Sequence, residues 1–214
     1  MNIEALVSRL SQVLDPLGAR GGPPTPRRSD FDLNPEMRPE RTRELKQAAV
    51  LISIIARETG PTVLLTRRAD TLNSHTGQVA FPGGRLDPGE TAVEAALREA
   101  DEEVGLDPGR VRLIGLMDPY ETGSRFCVTP VVGVVEPPFE LRLNPDEVAD
   151  VFETPWDFLM DVGNHRQDSM VWNGAERWYW AIPWDDAGTE RYIWGATAGM
   201  IRSLQQKLAT AEAA

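Results

Sequence analysis

The sequence predicts a layered α/β domain beginning near residue 45. Strand-like runs dominate from Gln47 onward, helical segments near 91–104 and 196–211 interrupt or follow them, and there is no internal repeat. Before that domain, Ile3, Leu6, Val7, Leu10, Val13 and Leu14 recur at helical spacing, which predicts an amphipathic helix over 3–14. Residues 18–41 are rich in Gly, Pro and Arg without periodicity and read as an extended arm or a mobile linker. The expected organisation is therefore an N-terminal helix and arm over 1–44, then a main domain over 45–214. Strands are expected at about 47–57, 61–68, 78–81, 110–118, 126–135, 168–172, 176–182 and 190–194. Between the third and fourth, Thr91-Ala-Val-Glu94 fits a capping box and Gly105 suits a left-handed helix end, so a helix should run from about 92 to 104. Its apolar stripe would be Val93, Ala96, Leu97, Ala100 and Val104.

Composition narrows the function. The chain has 214 residues, 41% hydrophobic and 26% charged, as expected of one soluble globular domain. The longest mostly apolar run, Ala48 to Ala56, is about half the ~20 residues of a membrane helix. No signal-peptide profile or C-terminal address is visible, and the single cysteine, Cys127, suggests a reducing compartment, so a cytoplasmic location is expected. A net charge of −11 argues against a nucleic-acid partner. If the substrate is itself an anion, a divalent metal must mediate.

That requirement meets the stretch READEEVG, residues 98–105, with four acids in five positions. Exposed like charges at helical spacing cost a few tenths of a kcal/mol per pair, roughly, unless solvent or a cation removes the repulsion. At about 100° per residue, Glu99, Glu102 and Glu103 share one flank of the predicted helix, with Glu103 nearest its buried seam; Glu94 and Asp101 face away. Upstream lies FPGGRLDPGE, a Gly/Pro-rich loop whose backbone could approach a metal or phosphate closely. Carboxylates together with a backbone carbonyl suit a hard cation, Mg²⁺ or Mn²⁺.

These residues resemble a known family. Gly84, five residues, Glu90, seven residues, then Arg98-Glu99-Ala100-Asp101-Glu102-Glu103-Val104-Gly105-Leu106 is similar to the Nudix box, G-x5-E-x7-R-E-U-x-E-E-x-G-U. Ala100 departs only in size from the larger aliphatic residue of the pattern. The resemblance implies a Nudix α/β/α sandwich with a mixed sheet, and metal-dependent hydrolysis of a nucleoside diphosphate linked to another group. It implies that Glu99, Glu102 and Glu103, with the Gly83 carbonyl, hold the cations. Arg98 and Glu90 would fix the loop against the helix. One carboxylate must accept the proton of the attacking water; Glu99, Glu102 and Glu147, from the segment NPDEVAD, are the candidates.

The segment LLTRRADTLNSHTGQVAFPGG, residues 64–84, is similar to the signature of the coenzyme A diphosphatase subfamily, LLTxRSxxLRxHxGxVxFPGG. Ala69 stands in place of Ser and Asn73 in place of Arg. The resemblance implies coenzyme A or its thioesters as substrate, with Arg68 and His75 as substrate contacts; outside the signature, Arg125 and the basic pair Arg27-Arg28 are further candidates. The competing expectations are another substrate for the same chemistry (ADP-ribose, NADH or a nucleoside triphosphate) and a non-catalytic ligand-binding domain. His165 has no motif around it and is assigned to the surface. Trp156, Trp172, Trp178, Trp180, Trp184 and Trp194 crowd the last third, which suggests core or a homodimer interface, with adenine stacking as the sharper alternative.

Overall fold

A computed structural model of the chain describes residues 2–18, 24–40, 44–69, 77–172 and 174–213. In chain order its strands are β1 (Arg28–Ser29), β2 (Lys46–Ile55), β3 (Thr62–Arg68), β4 (Val79–Ala80), β5 (Gly83–Arg85), β6 (Val111–Leu116), β7 (Tyr120–Glu121), β8 (Phe126–Val135), β9 (Val148–Pro155), β10 (Arg166–Trp172), β11 (Ala175–Asp186) and β12 (Thr189–Trp194). The helices are α1 (Ile3–Val13), α2 (Ala92–Val104), α3 (Trp156–Met160) and α4 (Gly195–Glu212).

The layering follows from β2. Side chains alternate across a strand, and here both sets are apolar. Ala48, Val50, Ile52 and Ile54 enter one cluster, and Ala49, Leu51 and Ile55 enter another. On the first side α1 and α4 close the core with Leu6, Leu10, Ile201, Leu204 and Leu208; on the second α2 does so with Ala95, Ala96, Ala100 and Val104. Strands β1 to β9 form one mixed sheet in the order β1-β7-β8-β2-β3-β4, with β5 on β2, β6 on β8 and β9 on β3. β2 and β8 run parallel from Lys46↔Phe126 to Ile55↔Val135. Strands β10-β11-β12 make a separate antiparallel sheet against α4. This is the expected helix–sheet–helix sandwich. No helix among the described residues is long and apolar enough to cross a membrane.

Five elements lie outside the expected set: β1, β5, β7, β9 and α3. β9 carries Asp150 and Glu153, which blur its alternation, but those charges are spent on Arg191 and Arg57. The stretch read as an arm or linker is packed over its described part, 24–40. β1 pairs with β7, and the buried Asn34 bonds both backbone groups of Trp178, accepting from its N–H and donating to its C=O, each at 2.8 Å. The half-buried Asp30 carboxylate accepts from the Tyr120 hydroxyl and the Gly123 N–H beside Arg177. Single polar side chains anchor this segment, so it has no periodic signature. His165 is a further correction. It is 9% exposed, and its Nε2 lies 2.7 Å from the Leu159 carbonyl, so it belongs to the interior rather than the surface.

Candidate metal centre and active site

The site is assembled on α2. Thr91 caps it as the capping box predicts: its hydroxyl accepts from the Glu94 N–H, and the Glu94 carboxylate accepts from the Thr91 N–H. Gly105 closes it in the left-handed region at φ 67°. The buried face is Ala95, Ala96, Ala100, Glu103 and Val104, rotated slightly from the expected stripe so that Glu103 falls within it.

The preceding loop is strapped down by one guanidinium. Arg98 grips Glu90 with two bonds of 2.8 and 3.0 Å, and it reaches Glu99 at 3.0 Å, Glu102 at 2.8 Å and the Arg85 carbonyl at 3.1 Å. Its pKa is raised, chiefly by Glu90, and it stays charged. Glu90 also accepts from the Asp87 N–H, so loop and helix move together.

The two glycines are dictated by close approach. A Cβ on Gly83 would lie 2.4 Å from the Ala49 carbonyl oxygen, and one on Gly84 would lie 2.3 Å from a Glu99 carboxylate oxygen. Gly83 meets the acidic cluster through its N–H, which donates to Glu103 at 3.2 Å.

Three carboxylates converge. Glu99, Glu103 and Glu147 each offer an oxygen within 4.8 Å of the others. Glu103 is 4% exposed; burial, reinforced by Glu99 and Glu147, pushes its pKa up to about 8 against the Gly83 N–H and Arg68. Burial also raises Glu99, although Arg98 opposes it. Two full negative charges at this spacing repel by about 3 kcal/mol at an effective dielectric near 20. A divalent cation would replace that repulsion with attraction, and an all-oxygen donor set with a buried acidic member fits a hard cation.

The other expected site residues divide. Glu102 shares the helical flank, but its carboxylate is exposed and turned to Arg98, outside the trio. Arg68 ends β3 with Nη1 4.0 Å from Glu103, and its buried Nε has no partner among the described residues. Arg125 sits at φ 70° on the turn before β8, where it lines a small cavity with Phe31, Leu45 and Glu121. His75 lies outside the described residues. Trp180 and Trp184 pack on the α1/α4 side of the sheet, opposite the α2 side, while Trp172 and Trp178 are exposed on the β10–β11 hairpin. Sequence reasoning passed over Asn144, although the Asn-Pro-Asp turn before Glu147 was in view. Its amide donates to the Glu147 carboxylate at 3.2 Å.

Comparisons with known proteins identify the family. A family model described as NUDIX domain matches residues 45–172. The chain is 41% identical over 172 residues to a protein of Escherichia coli O6:H1 named Uncharacterized Nudix hydrolase NudL, covering 78% of this chain and 87% of that one. The NudL of Escherichia coli strain K12 gives the same 41% over 172 residues, with the same 78% and 87% coverage. Among solved structures, a Nudix hydrolase from M. smegmatis, RenU, is 25% identical with a TM-score of 0.47, covering 54% of this chain and 73% of that one. The matched region holds the glycine loop, the capped helix and all three converging carboxylates, and the chain belongs to the Nudix hydrolase family.

Proposed function

We propose that this hydrolase cleaves the diphosphate of coenzyme A or its thioesters, with Mg²⁺ or Mn²⁺ as cofactor. The products are adenosine 3′,5′-bisphosphate and 4′-phosphopantetheine or its acyl form. One observation carries the substrate: the 64–84 segment, similar to the coenzyme A diphosphatase signature, runs along β3 and ends at the metal centre. Its Arg68 ends β3 beside Glu103 with a part-exposed guanidinium, a group suited to a phosphate oxygen. Glu99 and Glu103, with Glu147, would hold the cation, and Glu102 could join once released from Arg98. When bound, the cation neutralises phosphate oxygens and makes water a better nucleophile. Arg98 and Glu90 keep the loop fixed against α2, and the carboxylate least engaged by the cation accepts the water proton. The candidates for that acceptor are Glu99, Glu102 and Glu147. Asn73, where the subfamily pattern has arginine, favours a second reading in which ADP-ribose, NADH or a nucleoside triphosphate is the substrate.

The test is a panel of coenzyme A, acyl-coenzyme A, ADP-ribose, NADH and a nucleoside triphosphate with Mg²⁺ or Mn²⁺, products identified by mass. Coenzyme A compounds should give the highest kcat/KM, and EDTA should stop the reaction. A clearly higher kcat/KM for ADP-ribose or NADH would overturn the substrate assignment and leave the hydrolase chemistry standing.

A further inference from the structure

Glu147 is the one member of the acidic trio that does not sit on α2. It lies in the segment between β8 and β9, so something must fix it against the helix. The segment's contacts converge on Asn144. The Asn144 N–H donates to the Glu103 carbonyl at 2.9 Å, tying the turn to the C-terminal end of α2. Its carbonyl accepts from the N–H groups of Glu147 at 3.1 Å and Val148 at 2.8 Å. Its side-chain oxygen accepts from the Asp146 N–H at 3.2 Å, and its side-chain amide donates to the Glu147 carboxylate at 3.2 Å. Every polar group of this residue is therefore used, and two of the five bonds hold Glu147 itself. On the far side, the Glu147 carbonyl accepts from the Ala69 N–H at 2.9 Å, just past the end of β3.

Pro145 follows directly and removes a donor that could compete for these acceptors. The register of β9 on β3 shifts here, with Arg67 opposite Asp150 and Arg68 opposite Val148, so Ala149 is the extra residue of a bulge and Glu147 lies just before the strand, held to β3 by its backbone alone. That backbone bond does not aim the carboxylate; the Asn144 amide supplies a side-chain partner for it.

We infer that Asn144 is a positioning residue: by bridging the α2 terminus and the Glu147 carboxylate, it holds Glu147 beside Glu99 and Glu103 as the third wall of the cation site. It touches neither substrate nor cation and acts through Glu147. The inference rests on the metal-centre reading of the trio and is independent of which diphosphate is cleaved. An aspartate or serine could also form the turn, but serine is too short to reach Glu147. The amide is what the second contact needs.

The experiment is a double-mutant cycle read by Mn²⁺ binding, using electron paramagnetic resonance of the full chain without substrate. Asn144→Ala and Asn144→Ser should each weaken Mn²⁺ binding about tenfold, the usual scale for losing a residue that orients a ligand. Asn144→Ser retains an acceptor for the turn, so circular dichroism should stay unchanged and the loss should persist. Glu147→Ala should weaken binding at least as much. Adding Asn144→Ala to Glu147→Ala should then cause no further loss, because the residue it positions is gone. The kcat of the fastest substrate in the panel should follow the same non-additive pattern. Unchanged Mn²⁺ affinity in both Asn144 variants, or losses that multiply across the cycle, would overturn the assignment. Failure of coenzyme A as substrate would leave it untouched, since the binding arm contains no substrate.

Discussion

Glu103→Gln separates the electrostatics of the metal centre from its shape. The side chain is 4% exposed, and burial lifts its pKa from 4.5 to about 8. The folded chain therefore holds this proton more tightly than the unfolded chain does. The contribution is fully present below about pH 4.5 and is lost progressively as pH rises through about 8. At about 1.4 kcal/mol per pH unit, the gap sets a ceiling near 5 kcal/mol, roughly half of it falling between pH 6 and pH 8. Water entry and relaxation soften buried charges, so about half of that ceiling is the expected size. Glutamine keeps an oxygen for the Gly83 N–H and carries no proton to lose, so its stability should lack this slope. The assay is urea unfolding of EDTA-treated protein at pH 6 and pH 8.5. The variant should gain on the wild type by about 1–3 kcal/mol between the two. Mn²⁺ at about a hundred times its Kd should then stabilise the wild type at pH 8.5 by roughly 2.7 kcal/mol, and the variant by far less. A stability difference that ignores pH would show that Glu103 is ionised and solvated throughout, and the burial argument would fail.

Two further outcomes follow from single contacts. Gly84→Ala should leave the fold intact, since the clash falls on the end of a flexible side chain, but it should displace Glu99 and lower kcat at least tenfold; a Mn²⁺ titration beside circular dichroism checks both. Asn34→Ala should cost about 2–3 kcal/mol by thermal unfolding, because it orphans the N–H and C=O of Trp178, while the Mn²⁺ affinity of the distant trio stays unchanged.

What could be read without coordinates was the part whose signals are local. The capping box, the Gly105 stop and the helical period all lie within fifteen residues of one another, so α2 and its acidic flank emerge from the chain alone. The rotation of that helix was less accessible. Glu103 and Glu102 lie about 40° and 60° to opposite sides of Glu99 on the helix. Packing of Ala95 and Ala96 against the sheet turns one inward and leaves the other with Arg98. Glu147 was visible as a suitable acid, but only the β3–β9 pairing and the Asn144 bonds bring it to the trio. Short strands such as β5 and β7 exist because a neighbour accepts them, and two or three residues carry no period to detect. The packing of residues 24–40 was hidden for a related reason: Asn34 and Asp30 look like ordinary loop residues until their partners, more than 85 residues away, are in place.

The alternation of β2 between two apolar clusters has a bearing on fidelity. Its ten residues set the register of β8 on one side and place Gly83 against Val50 and Gly84 against Ala49 on the other. A slip of one residue would send each side chain to the wrong layer and, in the same movement, carry the glycine loop off the carboxylates of α2. A misthreaded molecule is therefore also an inactive one. Quality control of folding and quality control of catalysis converge on a single strand.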